Sequence, residues 1–124
     1  MSASNYLENK ILDHTLGTTT YTKPTIYISL HTADPTETGT GTEASGGSYA
    51  RQTAAFNAAS AGSATNTALI QFSNMPTGTF THFGIWDALT AGNMLYYGPL
   101  AASKTTTLGD TLVFNSSTLT ISAD

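Results

Sequence analysis

The sequence predicts a mainly β protein, an antiparallel β-sandwich or jelly-roll-like domain with one short N-terminal α-helix. Short apolar stretches recur along the chain between turn residues, the pattern of sandwiches and jelly rolls. Thr, Ser, Asn and Gly supply most of the polar content, and these residues favour strands and turns. Apolar residues at helical spacing occur convincingly only near the N-terminus. The 124 residues are expected to form a single domain, residues 1–124.

The first predicted element is a helix over residues 5–16. Asn5 is placed to cap its N-terminus, and Glu8 completes a capping-box-like pair. Gly17 is expected to end it. The apolar residues that repeat at helical spacing are Leu7, Ile11, Leu12 and Leu16. Because a helix of about three turns is marginal alone in water, we expect it to dock, either on its own β domain or on a neighbouring subunit.

The β-sandwich body is expected over residues 25–124, and its first strand over residues 25–31. In that strand Ile26, Ile28 and Leu30 alternate with more polar residues. Strict alternation of this kind places the apolar side chains on one face and leaves the other to solvent. The pattern therefore predicts a half-buried strand.

A long loop follows at about residues 33–48. It is rich in Gly, Thr, Glu and Ser, and it lacks the periodicity of a helix or strand. Long loops without secondary structure are usually functional or mobile. This segment is therefore the candidate contact loop, with Asp34, Glu37 and Glu43 as its acidic residues.

A central β-hairpin is predicted over residues 81–98, which hold the only Trp and two of the six Tyr residues. Its aromatic and branched side chains suit a pleated, half-buried surface. The break at residues 89–93 supplies a Gly and an Asn for the hairpin loop. Residues 99–104 are expected to form a connection. Further strands are predicted at residues 49–56, 67–72, 111–114 and 117–121, with residues 57–66 as a loop.

The charge pattern excludes several function classes. Only 10% of the residues are charged, and eight acids against four bases give a net charge of −4. The scattered bases Lys10, Lys23, Arg51 and Lys104 form no stripe that could neutralise phosphates, so we expect no nucleic-acid binding. No apolar run is long enough to span a bilayer, so we expect no membrane insertion. The absence of Cys excludes disulfides and thiolate metal sites.

Several groups of residues, spread in order over nearly the whole chain, carry a resemblance to a known family. They are Asn5-Tyr6-Leu7-Glu8-Asn9-Lys10 with Leu12-Asp13-His14, Gly46-Gly47 with Tyr49-Ala50-Arg51-Gln52, Thr81-His82-Phe83-Gly84-Ile85 with Asp87-Ala88, Gly92-Asn93 with Leu95-Tyr96-Tyr97-Gly98, and Gly109-Asp110. On these residues the chain resembles a family of small bacteriophage structural proteins commonly labelled "phage tail fibre protein". The resemblance implies a non-enzymatic component of a phage particle, with no catalytic, cofactor-binding or metal residues to carry over.

The residues themselves also predict no enzyme site, cofactor or metal. His14, His31 and His82 lie in three segments, at no spacing that places two imidazoles on one helix face. Trp86 and Tyr97 could belong to a sugar-stacking platform together with Tyr96, but aromatics paired across a hairpin are more often core or interface residues. The candidate core or assembly residues are Leu7, Ile11, Tyr49, Arg51, His82, Phe83, Ile85, Trp86, Leu95 and Tyr97.

Together these observations predict a homo-oligomeric accessory protein of a phage virion, made in the bacterial host cytoplasm. Its partners are expected to be copies of itself, as a trimer, and other virion proteins, either the major capsid protein or tail proteins. The low charge and high hydroxyl content suit a subunit that decorates and cements the capsid surface. The alternative is a tail-fibre or tail-tip module that contacts host-surface glycan.

Overall fold

Nine strands and one helix make up residues 2–122, the part of the chain that this computed structural model describes. Residues 1, 123 and 124, which the predicted domain includes, lie outside it. The elements are β1 (Ser2–Ala3), α1 (Asn5–Leu16), β2 (Tyr27–His31), β3 (Gln52–Thr53), β4 (Ser63–Thr65), β5 (Ile70–Met75), β6 (Gly78–Trp86), β7 (Met94–Thr106), β8 (Asp110–Phe114) and β9 (Thr120–Ser122). The predicted fold class, a mainly β, antiparallel protein with one short N-terminal helix, is confirmed.

The strands form one large sheet and two small ribbons. The large sheet is antiparallel, in the order β1-β7-β6-β2-β3, and the ribbons are β5–β8 and β4–β9. One face of the large sheet packs on the ribbons, which gives the two layers of a sandwich. The core between them includes Ile28, Leu30, Phe72, Phe83, Ile85, Leu112, Phe114 and Ile121.

The predicted central hairpin is the centre of the large sheet. β6 pairs with β2 on one side and with β7 on the other. Residues 99–104, expected to be a connection, instead continue β7 to Thr106. Pro99 is tolerated there because β1 pairs only with Tyr96 and Tyr97, so the rest of β7 is an edge on that side.

Strand β2 is not half-buried, as the alternation predicted, but buried on both faces. Ile28 and Leu30 face the core, and Ser29 and His31, on the opposite face, are also fully buried. The reason is tertiary: β2 lies between β6 and β3, and residues 33–48 fold back over its second face. Alternation along a strand shows which residues share a face, but it does not show whether solvent or another segment covers that face.

Two other predicted segments differ from the structure. The strand predicted over residues 49–56 is reduced to β3, Gln52–Thr53, because only these residues pair with β2. The loop predicted over residues 57–66 contains β4, which pairs with β9. Both differences arise because a strand is stabilised by a distant partner, which local composition does not identify.

The helix occupies the predicted range, but its cap is Ser4 rather than Asn5. The Ser4 Oγ accepts a hydrogen bond from the Leu7 N–H at 3.3 Å, as an N-cap does. Ser4 also joins the helix to β7, since its N–H donates to the Leu95 carbonyl at 2.8 Å and its hydroxyl donates to the Met94 carbonyl. Gly17 ends the helix, as predicted. No helix within residues 2–122 is long and apolar enough to cross a membrane.

Candidate functional site

Residues 33–48 are here called the cover loop. Gly39 and Thr42 lie over the face of the large sheet that points away from the core, whereas Ala44 is part of the core. The loop is fixed to β2 by the Ala44 N–H, which donates to the Leu30 carbonyl at 2.8 Å. It lies directly on Trp86, because a Cβ added at Gly39 would be 2.6 Å from the Trp86 Cζ2. Gly39 also has a φ of 71°, which favours glycine. The predicted contact loop therefore has a packed inner side and an exposed outer side.

Arg51 is buried beneath this loop and joins three segments. Its Nε and Nη2 each donate to a carboxylate oxygen of Glu43 at 2.9 Å, a bidentate ion pair. Its Nη1 donates to the carbonyls of Ala88 at 3.0 Å and Ala91 at 2.9 Å, in the β6–β7 turn. The guanidinium lies 3.7 Å from the centre of the Trp86 ring. Arg51 thus fixes the cover loop and the hairpin turn to each other.

Tyr49 completes the Arg51 cluster. Its hydroxyl donates to Glu43 Oε2 at 2.8 Å and accepts the Leu30 N–H of β2 at 3.1 Å. Burial alone would raise the pKa of Glu43, but the hydrogen bonds from Arg51 and Tyr49 outweigh it and lower that pKa. Burial raises the pKa of the Tyr49 hydroxyl. Glu43, predicted as a contact residue, is therefore an internal ion-pair partner.

A second polar cluster lies under the same loop, next to Trp86. The Trp86 Nε1–H donates to Ser29 Oγ at 2.8 Å, and Ser29 Oγ lies 2.7 Å from His31 Nε2. His31 Nδ1 is 2.9 Å from Thr42 Oγ1 in the cover loop. Because an indole only donates, Ser29 Oγ accepts the Trp86 N–H, and it also forms the hydrogen bond with His31 Nε2. Burial lowers the pKa of His31 to about 4 and keeps the imidazole neutral.

The chemistry open to these residues is limited by burial. A Ser–His pair within hydrogen-bond reach is the arrangement of nucleophilic catalysis. Here both side chains have 0% exposure, and the serine oxygen already accepts the indole N–H. A substrate could not reach Ser29 Oγ while the cover loop is in place. Within residues 2–122, no group of three or more His, Asp and Glu side chains is arranged to hold a metal ion.

Glu37 joins the cover loop to the start of the helix. Its Oε1 accepts the Asn5 N–H at 2.8 Å, and its Oε2 accepts the Tyr97 hydroxyl of β7. The hydrogen bond to Glu37, with burial, raises the pKa of Tyr97 to about 12. Asp34 is exposed and accepts the Thr36 N–H at 2.8 Å in a local turn. Of the three predicted contact acids, Asp34 alone has no bond to a distant segment among the described residues.

The remaining predicted residues occupy different environments. Ile11 is exposed, whereas His82 and Tyr97 are half-buried. Buried residues are Leu7, Arg51, Phe83, Ile85, Trp86 and Leu95. The sugar-stacking interpretation of the aromatics is wrong for Trp86, which is only 5% exposed and lies under Arg51. Tyr96 packs on the core side of the sheet, so the three aromatics share no exposed face.

The sequence pattern did not reveal that Ser4, Ser29 and His31 are buried, or that the half-buried Thr42 lies within hydrogen-bond distance of His31. Ser29 and His31 alternate with Ile28 and Leu30, a pattern that normally marks a solvent face. The only local signal was His31 itself, and a polar residue in a strand does not reveal that a loop covers its face.

Gly84 makes room for the Ser29–His31 cluster, and Gly84→Ala tests this. An added Cβ would lie 2.7 Å from Ser29 Oγ and 3.0 Å from Trp86 Nε1. We expect the substitution to lower the free energy of unfolding by about 1–3 kcal/mol, the usual cost of overpacking, measured by urea unfolding. Gly78→Ala in the same strand is the control, since its Cβ would only approach the Phe80 ring at 3.4 Å. Equal losses in both variants would contradict this role for Gly84.

The comparisons with known proteins bear on the whole chain rather than on one cluster. The model of a protein family described as "Podophage GP4 fiber I protein gp80" matches residues 2–122. The match therefore includes the helix, the cover loop and every described strand. A comparison with curated proteins finds no match.

Proposed function

Because the chain belongs to the podophage GP4 fiber I protein family, and is thus a structural protein of a bacteriophage virion, we propose that it is a non-enzymatic subunit of a virion fibre. The family match over residues 2–122 is the observation that carries this proposal. Its partners in the proposal are copies of itself, as a trimer, and neighbouring tail proteins. It is made in the host cytoplasm and functions in the virion.

The geometry of the cover loop supports a structural role. The inner side is held by the Arg51–Glu43 ion pair and the Glu37 hydrogen bonds. The outer side exposes uncharged hydroxyl residues, namely Thr36, Thr38, Thr40, Ser45 and Ser48. The part of this surface that these hydroxyl residues form can pack on a neighbouring subunit without burying charge, provided that the exposed Asp34 stays outside the contact. In a fibre tip, contact with host-surface glycan would use this outer side, because Trp86 is buried.

Capsid decoration is the second candidate. The observation that favours it is the low charge of the chain, with 10% charged residues and abundant hydroxyl groups, which suits a subunit repeated over a lattice. In that role the protein would bridge neighbouring capsid subunits and stabilise the shell by mass action. The two candidates differ in where the protein lies and in how many copies a particle holds.

Immunogold labelling of purified particles, combined with copy counting, tests the proposal. We expect label at the tail and a low copy number, as a fibre requires. Label over the whole shell with hundreds of copies would replace the fibre role with decoration. Purified particles without the protein would overturn both.

A further inference from the structure

Helix α1 exposes most of its apolar residues. Leu7 is buried, whereas Ile11, Leu12 and Leu16 are 40%, 53% and 77% exposed. A helix of 12 residues is marginal in water unless an apolar face is packed. A single exposed leucine is ordinary on a protein surface. The exposed row formed by Ile11, Leu12 and Leu16 therefore indicates a contact with another molecule only if a complementary apolar surface exists.

An unfilled apolar cavity of about 270 Å³ supplies such a surface. It opens where the β4–β9 ribbon meets the β6–β7 hairpin. Its walls carry no charged side chain, and its larger lining residues are Ile26, Phe56, Ile85, Leu95, Tyr96 and Ile121. The volume lies just below the ~300–1,000 Å³ of small-molecule sites, a size suited to a few aliphatic side chains.

The helix cannot place its exposed row in the cavity of its own chain without breaking bonds at both ends. Its start is fixed to β7 through Ser4 and to the cover loop through the Asn5 N–H, which donates to Glu37. Near its end, His14 Nδ1 accepts the Tyr21 N–H at 3.1 Å and fixes the returning chain. The row is thus presented outward, toward a second molecule.

We propose that Leu12 and Leu16 of one copy enter this cavity in a neighbouring copy, with Ile11 at its rim. The proposal rests on the proposed function, in which copies of the chain assemble. The three exposed helix side chains are apolar and the cavity lining is uncharged. Each copy carries one helix row and one cavity, so the contact is heterologous. Heterologous contacts join copies head to tail and close into a ring when the rotation between neighbours allows it. The helix of each subunit thereby completes the core of the next.

The test measures the mass of the purified full chain by light scattering coupled to size exclusion. We expect the wild type to form a closed oligomer, whose mass gives the copy number. Leu12→Ser with Leu16→Ser removes the inserted side chains, and Ala59→Trp fills the cavity from an exposed position on its wall. Each variant should be monomeric. Leu108→Ser, at an exposed leucine outside both surfaces, is the control and should keep the wild-type mass.

Mixing the two monomeric variants separates this arrangement from symmetric pairing of helices. The cavity-filled variant keeps an intact helix and the helix variant keeps an intact cavity, so an equimolar mixture should form one-to-one dimers and nothing larger. A monomeric wild type at tens of micromolar, a cavity-filled variant that keeps the wild-type mass, or a mixture that stays monomeric would each overturn the proposal.

A cross-link provides a measurement that does not depend on how Ala59→Trp folds. The chain has no cysteine, so Leu16→Cys and Ala59→Cys proteins introduce the only thiols. Oxidising their mixture should yield mainly mixed disulfides, whereas a predominance of Leu16→Cys homodimers would overturn the proposal. These outcomes are independent of the particle labelling. If the protein is found at the tail but is monomeric in solution, only the proposed interface is overturned. If it is an oligomer but is absent from particles, only the virion role is overturned.

Discussion

Arg51→Met should lower the free energy of unfolding by about 3 kcal/mol, the largest loss that we expect from one side chain. Removing one partner of a buried ion pair leaves the other charge uncompensated, which costs ~3–5 kcal/mol. We place the loss at the lower end because the Glu43 side chain keeps 25% exposure and can regain some hydration. The carbonyls of Ala88 and Ala91 would also lose their donor.

Urea unfolding monitored by Trp86 fluorescence measures this loss, with two further variants as controls. Lys23→Met removes an exposed cation and should change the free energy of unfolding by less than about 0.5 kcal/mol. Arg51→Lys keeps the charge but loses the bidentate geometry and much of the contact with the indole ring, so it should remain clearly destabilised. Wild-type stability in Arg51→Lys would show that charge alone holds the cover loop.

Lowering the pH from about 6.5 to about 4 should remove about 3 kcal/mol of stability through His31. The pKa of His31 is lowered to about 4 by burial and by Arg51 and His82, against the opposing effect of Glu43. The unfolded chain, with an ordinary histidine pKa near 6.5, binds more protons between these values. The contribution of neutral His31 to the free energy of unfolding is therefore fully present above about pH 6.5, and it is lost as the pH falls from about 6.5 to about 4.

Urea unfolding at a series of pH values tests this dependence. His31→Gln cannot titrate, so its stability should be nearly flat between pH 6.5 and 4.5, although it is less stable overall. The pKa of Glu43 is lowered, so the stability that its ion pair contributes is lost only at more acidic pH. An unchanged slope in His31→Gln would assign the titration to another group.

The elements predicted best are those whose signals are local. The helix range follows from apolar spacing and a terminal Gly17, and the hairpin follows from aromatic arms around a Gly- and Asn-containing break. The helix cap shifted by one residue because the Ser4 hydroxyl and N–H also bond to β7, about ninety residues away. A distant partner thus decided between two adjacent residues that can both act as caps.

The strand predicted over residues 49–56 shows how side chains can override a strand pattern. The Tyr49 hydroxyl accepts the Leu30 N–H and donates to the Glu43 carboxylate. The Arg51 guanidinium donates to the same carboxylate and to a carbonyl of the hairpin turn. Only Gln52 and Thr53 remain in the ladder with β2. Propensity describes how a residue suits a pleated surface, but it does not describe a side chain engaged elsewhere.

By itself, the sequence determined the mainly β class, the single helix and its range, the central hairpin and the kind of phage family to which the chain belongs. Tertiary structure alone decided that the cover loop is packed inside, that Glu43 pairs with Arg51, and that Ser29 and His31 are buried. The physical reason is that burial depends on which distant segments meet: Trp86 reaches Ser29 across 57 positions, and Arg51 reaches Ala88 across 37. A polar face on a strand looks the same in sequence whether water or a folded loop lies above it.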